Sequence, residues 1–213
     1  MRRTLLAALA LSVPPAVTAQ EASTVPLTIQ RNGQEIGREE YSLGTAGPGR
    51  GTTLSTTARY PGNPPLQVSA TLERSPESGI AKFELDVQGP GGPLVILAAG
   101  SGTRLIVRSV ARGAEAGKEM PGGRDIVLLD EAVHALYLPI AELATPAGAR
   151  LTAVFPRASR RVSFTARREP GEGGGSRVQL SGEVSGTLAV DAQGNLVRLE
   201  LPGTGTVVTR ASK

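Results

Sequence analysis

The feature that most constrains this chain is strict alternation of apolar and polar residues in two neighbouring stretches. In residues 66–73, with the sequence LQVSATLE, every second residue is apolar, and residues 81–88, AKFELDVQ, repeat the pattern after the turn SPESG. Successive side chains of a β-strand point to opposite faces of a sheet, so each stretch presents one apolar and one polar face. The pair therefore predicts antiparallel strands that bury one face and expose the other to solvent.

Short runs of this kind recur along the chain, separated by clusters drawn from its 27 glycines and 16 prolines. That spacing is typical of all-β proteins. Near the start, Asn32-Gly33 lies between residues 28–31 and 34–43. It predicts a type I′ hairpin turn, because both residues tolerate the positive φ angles that this turn requires. Gly37 is a predicted β-bulge in the second arm.

Further strands are predicted both before and after the helical stretch near residues 130–144. The run LVILAA is interpreted as a buried strand, and TRLIVRSVA follows it to complete a meander of four strands. Later, the stretches RVSFTARR, SRVQLSGEVSG, TLAVDAQGNLVRLEL and GTVVTRAS predict more strands, with a hairpin turn at Gln193-Gly194-Asn195. In total we expect about eleven strands.

One stretch, residues 130–144, breaks this period and has apolar residues at helical spacing. Those residues are Val133, Leu136, Tyr137, Ile140 and Leu143. Asp130 is the predicted N-cap, and Pro139 is expected to end or kink the helix near Leu138, because proline lacks the backbone N–H. We therefore expect one broken helix or two short helices here.

The expected fold class is all-β and mainly antiparallel: a curved meander sheet, half-barrel or barrel, with one short broken helix near residues 130–144. About ten consecutive antiparallel strands rarely stay flat, because strand twist makes them curl or split. The chain has only three Phe and no Trp to fill a wide interior. We therefore expect a concave apolar hollow with the helical segment as its plug or lid, in a single domain over residues 20–213.

Residues 1–19 are a predicted signal peptide. Arg2 and Arg3 give the positive start, residues 5–11 the apolar core, and residues 17–19 a cleavage site of small residues. The apolar core is shorter than the roughly 20 residues that span a bilayer. We therefore expect a periplasmic or secreted protein with no transmembrane anchor after signal cleavage.

Composition limits the chemistry that the chain offers. It has no cysteine, which excludes disulfides, thiolate metal sites and cysteine nucleophiles. With a single histidine, no metal site is predicted. The glycine-rich segments match neither the dinucleotide-binding nor the P-loop spacing, so no cofactor is expected. Signal removal leaves a net charge of about +2, and aromatic residues are few, so nucleic acid is not an expected partner.

The layout of the chain resembles a known superfamily. The predicted signal peptide, the long meander, the helical insertion and the closing hairpin VDAQGNLVRLEL are similar to the periplasmic lipoprotein carriers, the LolA/LolB-like half-barrels. The opening NGQEIGREEYSL is also similar to secreted β domains of the DUF3108 kind, which start with a G-x-x-x-G hairpin. The resemblance implies a concave apolar face that holds acyl chains or another apolar ligand, and it assigns no individual site residue.

The leading hypothesis is an exported, non-enzymatic protein that binds an apolar or amphipathic, lipid-like ligand in the concave sheet. Residues at apolar alternating positions would line the concave face, and two residues of the helical segment would cover it. These residues are Val68, Leu72, Phe83, Leu85, Val87 and Leu97, with Leu136 and Tyr137 as the cover. The predicted partner is a lipid or another apolar small molecule.

Two alternatives remain open. In the first, the protein is a structural or interaction module of the cell envelope, which binds an envelope protein or an anionic surface through an arginine-rich outer face. Those arginines are Arg104, Arg108, Arg112, Arg150, Arg157, Arg160, Arg161, Arg167 and Arg168. In the second, it is a hydrolase or isomerase in which His134, four residues after Asp130 on the expected helix, is a general base oriented by a carboxylate. No nucleophile motif accompanies His134, so no catalytic residue is assigned.

Overall fold

In the residues that the computed structural model describes, fifteen β-strands form a single sheet. The structure describes residues 23–45, 51–77 and 79–211, and the predicted signal peptide lies outside these ranges. The first eight strands are β1 (Val25–Arg31), β2 (Gln34–Thr45), β3 (Thr52–Tyr60), β4 (Leu66–Ser75), β5 (Gly79–Gln88), β6 (Leu94–Ser101), β7 (Arg104–Ala111) and β8 (Ala114–Pro121).

The second half contains the remaining strands and the helical turns. The strands are β9 (Ile126–Leu128), β10 (Ala149–Phe155), β11 (Arg160–Pro170), β12 (Ser176–Gly182), β13 (Gly186–Val190), β14 (Leu196–Leu201) and β15 (Thr206–Arg210). A 3-10 helix (Ala135–Tyr137) leads directly into the short helix α1 (Leu138–Leu143), and two more 3-10 turns span Glu172–Gly174 and Pro202–Thr204. In the described ranges, no helix is long and apolar enough to cross a membrane.

The strands form two meanders that meet in the middle of the sheet. The spatial order runs from β8 to β1 and continues through β15 to β9. The first and last strands are neighbours, with Ile29 opposite Val208. Every pair is antiparallel except β9 with β10, which is parallel. Strands β8 and β9 are the two edges, so the curved sheet stays open, which confirms the expected all-β, mainly antiparallel fold class.

The sheet has fifteen strands instead of the expected eleven. Two of the additional strands, β8 and β9, show why the sequence did not predict them. Seven of the eight residues of β8, AEAGKEMP, are exposed, so its sequence carries no buried apolar alternation. Its Glu, Lys and Pro residues suit an unpaired edge, because charged residues and proline discourage pairing with another chain. Strand β9 has only three residues, which is too short to show a period.

The first hairpin confirms the turn prediction, and its β-bulge lies at Ile36, next to the predicted Gly37. Asn32 has φ of 51° and Gly33 has φ of 81°, as a type I′ turn requires. The register shifts where Ile29 pairs with Gly37 and the next residue pairs with Glu35. A Cβ atom at Gly37 would lie 2.7 Å from the backbone oxygen of Arg59, so the close approach of β3 requires glycine here.

The predicted alternation is present in β4 and β5. Val68, Leu72, Phe83 and Leu85 are each at most 1% exposed and face the concave side. Val87 on the same face is 7% exposed.

Strand β6 corrects two expectations. It alternates instead of being buried on both faces: Ile96 is 1% exposed and lies opposite Leu85, whereas Leu97 is 37% exposed and lies opposite Glu84. Leu97 therefore belongs to the outer face, and the prediction that it lines the concave side is wrong. In the sequence LVIL, residues at odd and even positions are both apolar, so each face of the strand could be the buried one. Only the register with β5 decides which residues face inward.

Residues 126–144, here called the plug segment, fill the concave side of the sheet. Strand β9, the 3-10 helix and α1 all belong to it. Val127, Leu128, Leu129 and Leu136 are 0% exposed. The plug segment joins the concave residues in one buried core, so the hollow that was expected there is filled.

The helical part of the plug segment follows the expectation of short helices but differs in two details. Pro139 lies in the first turn of α1, where its missing N–H removes no helical hydrogen bond, so it does not end the helix. Asp130 is not a helix N-cap: its Oδ1 accepts the backbone N–H of Ala132 at 2.8 Å, and Arg157 pairs with its carboxylate. The residue at the N-cap of the 3-10 helix is His134.

The hydroxyl group of Tyr41 links the two meanders across the interior. Tyr41 on β2 is 1% exposed, and its hydroxyl oxygen accepts the backbone N–H of Leu196 on β14 at 2.8 Å. Burial raises the pKa of Tyr41, which keeps the phenol neutral.

We expect Tyr41→Phe to lower the free energy of unfolding by about 1–3 kcal/mol, because it leaves a buried backbone N–H without an acceptor. Urea unfolding followed by circular dichroism measures the change. Tyr137→Phe is the matched control, since no hydrogen bond of that hydroxyl occurs within the described residues. Equal stability of the two variants would contradict the role assigned to Tyr41.

Candidate functional site

A buried carboxylate holds the plug segment against the sheet. Glu39 on β2 is 1% exposed. Its Oε1 accepts the backbone N–H of Ala135 and the hydroxyl of Thr56, each at 2.8 Å, and its Oε2 accepts the backbone N–H of His134 at 2.8 Å. Removing a carboxylate from water is costly unless donors replace the lost hydration, and these three donors do so.

His134 lies beside this carboxylate and is itself 3% exposed. Its Nδ1 is 3.3 Å from Oε2 of Glu39, but the pair lacks hydrogen-bond geometry, and Nδ1 has no partner among the described residues. The nearest carboxylate is therefore Glu39 and not Asp130, whose oxygens are bound by Nε and Nη2 of Arg157 at 2.9 and 2.7 Å.

Three more side chains of the sheet bind carbonyl oxygens of the plug segment or of the chain that leads into it. The hydroxyl of Tyr60 donates to Ala132 at 2.8 Å, and burial raises the pKa of this tyrosine. Arg74 donates Nη1 to the carbonyl of Ile126 at 3.1 Å and Nη2 to that of Arg124 at 3.4 Å. Nη2 of Arg168 donates to the carbonyl of Ala141.

The filled core leaves a cavity at one end of the sheet, here called the end pocket, with a volume of about 400 Å³. One wall comes from β2–β4, the opposite wall from β12 and the β13–β14 turn, and α1 lies between them. Apolar side chains of both walls and of α1 line it, including Leu54, Leu72, Leu138 and Val190. The end pocket therefore has a largely apolar lining between two parts of the sheet that are distant in sequence.

Charged side chains also line the end pocket. Arg74 and Arg168 face it together with Glu142 of α1. Burial lowers the pKa of Arg74, and Glu142 partly opposes that change. Burial raises the pKa of Glu142 although its residue remains exposed at the mouth, and both arginines partly oppose this shift. The pocket thus combines an apolar lining with two guanidinium groups and one carboxyl group.

Asp191 fixes the turn that forms the far wall of the end pocket. Its Oδ1 accepts the backbone N–H groups of Gln193 and Asn195 at 3.0 and 2.8 Å, and Arg210 donates to Oδ2 at 2.7 Å. Burial raises the pKa of Asp191, but the hydrogen bonds from Arg210 and Asn195 outweigh it and leave the pKa below its usual value.

Besides a cavity of about 580 Å³ along β12–β14, which shares Ser176, Val190 and Asp191 with the end pocket, two further cavities are notable. One has a volume of about 300 Å³ and is lined by His134, Tyr137 and Arg31 at the opposite end of the sheet. The other, about 510 Å³, is a groove between edge strand β8 and the hairpin of β10 and β11, lined by Met120 and Phe155 among others.

The structure separates the residues that the sequence predicted as ligand-binding. Leu72 lines the end pocket, and Tyr137 lines the cavity that contains His134. Five others are buried beneath or within the plug segment and do not line the end pocket: Val68, Phe83, Leu85, Val87 and Leu136. Leu97 lies on the outer face.

The candidate arginines do not form one surface. On the outer face, Arg104 and Arg108 pair across the strand with Glu119 and Glu115, and Arg112 lies in the β7–β8 turn. The remaining arginines have different environments.

Arg167 pairs with Glu169 on the exposed side of β11, whereas Arg157 and Arg168 bind the plug segment. Arg160 stacks on Phe155, with its guanidinium carbon 4.1 Å from the ring centre. Much of the expected basic surface is therefore neutralised by carboxylates or directed inward.

Sequence reasoning missed Glu39 and Arg74 as interior groups and Glu142 as a charged group at the mouth of the end pocket. The sequence did contain a signal for Glu39, because it lies two residues from Tyr41 and therefore on the same face of β2. The adjacent Glu40 lies on the other face and is exposed. Within residues 23–45, 51–77 and 79–211, no three His, Asp or Glu side chains come together as a metal-binding group.

Comparison with known proteins gives limited resemblance. No protein-family model matches the chain, and no curated protein matches its sequence. A DUF1089-family protein from Pseudomonas aeruginosa has 12% identity and a TM-score of 0.48, over 92% of this chain and 97% of that one. A β-barrel-like protein with the domain of unknown function DUF1849 from Brucella abortus has 11% identity and a TM-score of 0.49, over 87% and 92%. The resemblance to LolA/LolB-like carriers and to DUF3108-like domains stays a prediction.

We expect Glu39→Gln to lower the free energy of unfolding by about 3 kcal/mol, because the amide cannot accept all three hydrogen bonds that the carboxylate accepts. Chemical denaturation at neutral pH measures the loss. Glu40→Gln is the matched control on the opposite, exposed face and should change stability by less than about 0.5 kcal/mol. A small effect of both substitutions would show that Glu39 does not anchor the plug segment.

Asp191→Asn should lower the free energy of unfolding by about 1 kcal/mol at neutral pH. The folded-state pKa of Asp191 lies below its unfolded value of about 4, so its contribution is present above that pH and is lost as the pH falls through the folded-state pKa. Unfolding curves of wild type and variant should therefore converge in acid. A deficit that stays constant with pH would contradict this assignment.

Proposed function

We propose that the protein is an exported, non-enzymatic protein that binds an apolar or amphipathic, lipid-like small molecule in the end pocket. The observation that carries the proposal is the combination of an apolar lining and a charged group of side chains in one cavity. Its volume of about 400 Å³ falls within the range of roughly 300–1,000 Å³ that is common for small-molecule sites.

The position of the site differs from the one that the sequence suggested. The plug segment occupies the concave face, and its residues Val127, Leu129 and Leu136 are fully buried there. A ligand in that position would have to displace the whole segment together with its bonds to Glu39, whereas the end pocket is open to solvent without such a change. The end pocket therefore demands less rearrangement on binding.

Export to the periplasm or the cell exterior is part of the proposal and depends on the predicted signal peptide in residues 1–19. A ligand with a long apolar part is poorly soluble in water, so an exported binding protein would shield it during transfer between surfaces. This role is compatible with a chain that has no cysteine.

A second candidate is an interaction module of the cell envelope. The observation that favours it is an exposed apolar group on the outer face of β6 and β7, formed by Leu97, Ile106 and Val110. The arginines of the same strands are paired with glutamates, so this surface would bind a partner through apolar contact more than through charge.

We expect Ala192→Trp to reduce uptake of a fluorescent fatty acid at least several-fold, because an indole at this exposed position narrows the mouth of the end pocket. Fluorescence titration of the purified mature protein measures uptake, and native mass spectrometry detects ligand retained from the host.

Ala114→Trp, on the exposed edge strand β8, is the control and should bind like wild type. Absence of uptake by wild type would overturn the proposal, and equal uptake by both variants would place the ligand elsewhere.

A further inference from the structure

We propose that the ligand of the end pocket carries one negative charge, as a carboxylate head group that Arg168 binds with support from Arg74. This inference rests on the proposed function and specifies its ligand class. It follows from the hydrogen bonds and the charge balance of the pocket.

Arg168 has a buried donor that the described residues do not satisfy. It lies on β11, where its backbone N–H donates to the carbonyl of Thr145 at 2.9 Å. Its Nη2 donates to the carbonyl of Ala141, and its buried Nε has no partner among the described residues. A guanidinium has five N–H donors arranged in a plane that matches a carboxylate, so an acidic oxygen is the acceptor that this group lacks.

Arg74 is bound only by neutral groups. Its Nη1 and Nη2 donate to two backbone carbonyls, so these hydrogen bonds orient the guanidinium without neutralising its charge. The residue is 7% exposed, and its positive charge therefore acts through poorly solvated surroundings. Neither Arg74 nor Arg168 forms a salt bridge with a carboxylate in the described part of the chain.

The charge balance of the pocket leaves one positive charge in excess. Two arginines and two acidic residues line it, but Asp191 is bound by Arg210, which lies outside the lining. Arg74 and Arg168 therefore face only Glu142. A ligand with a single negative charge would complete the neutralisation, whereas a dianion would leave one negative charge in excess.

The apolar lining determines where the rest of the ligand lies. Leu54, Leu72 and Leu138 line the same cavity as the arginines. A head group at the guanidinium groups would leave an attached chain against these leucines, where its burial is favourable. A monocarboxylic amphiphile satisfies both parts of the pocket.

Isothermal titration of the mature protein with three ten-carbon probes tests the proposal: decanoate, decanol and decyl phosphate. We expect decanoate to bind about tenfold or more tightly than decanol, because hydrogen bonds between charged groups are strong. Decyl phosphate, which is largely dianionic at pH 8, should bind more weakly than decanoate.

Three variants test which residues determine the preference for decanoate over decanol. Arg168→Gln should reduce the ratio of decanoate to decanol affinity by about tenfold. Glu142→Gln should raise decanoate affinity several-fold, because it removes the carboxylate that competes for the arginines, and the Glu142 side chain makes no hydrogen bond to the described residues that the variant would remove. Arg167→Gln, on the adjacent exposed position of β11, is the control and should leave the ratio unchanged.

The outcomes separate this inference from the proposed function. If decanol and decanoate bind equally and Glu142→Gln has no effect, the anionic head group is wrong while small-molecule binding stands. If none of the probes binds wild type and no fluorescent fatty acid is taken up, the proposed function fails as well. Tighter binding of decyl phosphate than of decanoate would overturn the assignment to a monoanion.

Discussion

The structure depends on one buried carboxylate that accepts backbone hydrogen bonds from a segment distant in sequence. Glu39 binds the N–H groups of His134 and Ala135 and the hydroxyl of Thr56, so it joins β2 and β3 to the plug segment. An anion that is 1% exposed would be strongly destabilising without these donors. The carboxylate therefore requires the plug segment at this position, and the plug segment requires an acceptor there, because its 3-10 helix has unpaired N–H groups at its start.

Other side chains of the sheet bind the rest of the plug segment in the same way. Strands satisfy their backbone groups by pairing with neighbours, but the plug segment pairs with the sheet only through β9 and on one side, so most of its backbone groups lack such neighbours. Tyr60, Arg74 and Arg168 supply donors to its carbonyl oxygens from three strands. Apolar burial fills the concave side, and these polar contacts determine which residues of the segment face which strand.

This arrangement moves the accessible cavity from the centre of the sheet to its end. A wide sheet with small interior side chains would leave a central hollow, but the leucines and valines of the plug segment occupy it. The remaining space lies between α1, strands β2–β4, and β12 with the β13–β14 turn. Because Arg74 and Arg168 both bind the plug segment and line that space, the groups that hold the core together are also the groups that a ligand would meet.

The sequence by itself determined the elements whose signal is local: the alternating strands β4 and β5, the turn at Asn32-Gly33, and the short helices near residue 140. Each depends on backbone geometry within a few residues. The tertiary structure decided what depends on contacts between distant residues. It placed Leu97 outside because both faces of β6 are apolar and register alone chooses between them. It also brought Glu39 to His134 and Arg74 to Arg168, since the sheet curls until residues about 95 positions apart meet.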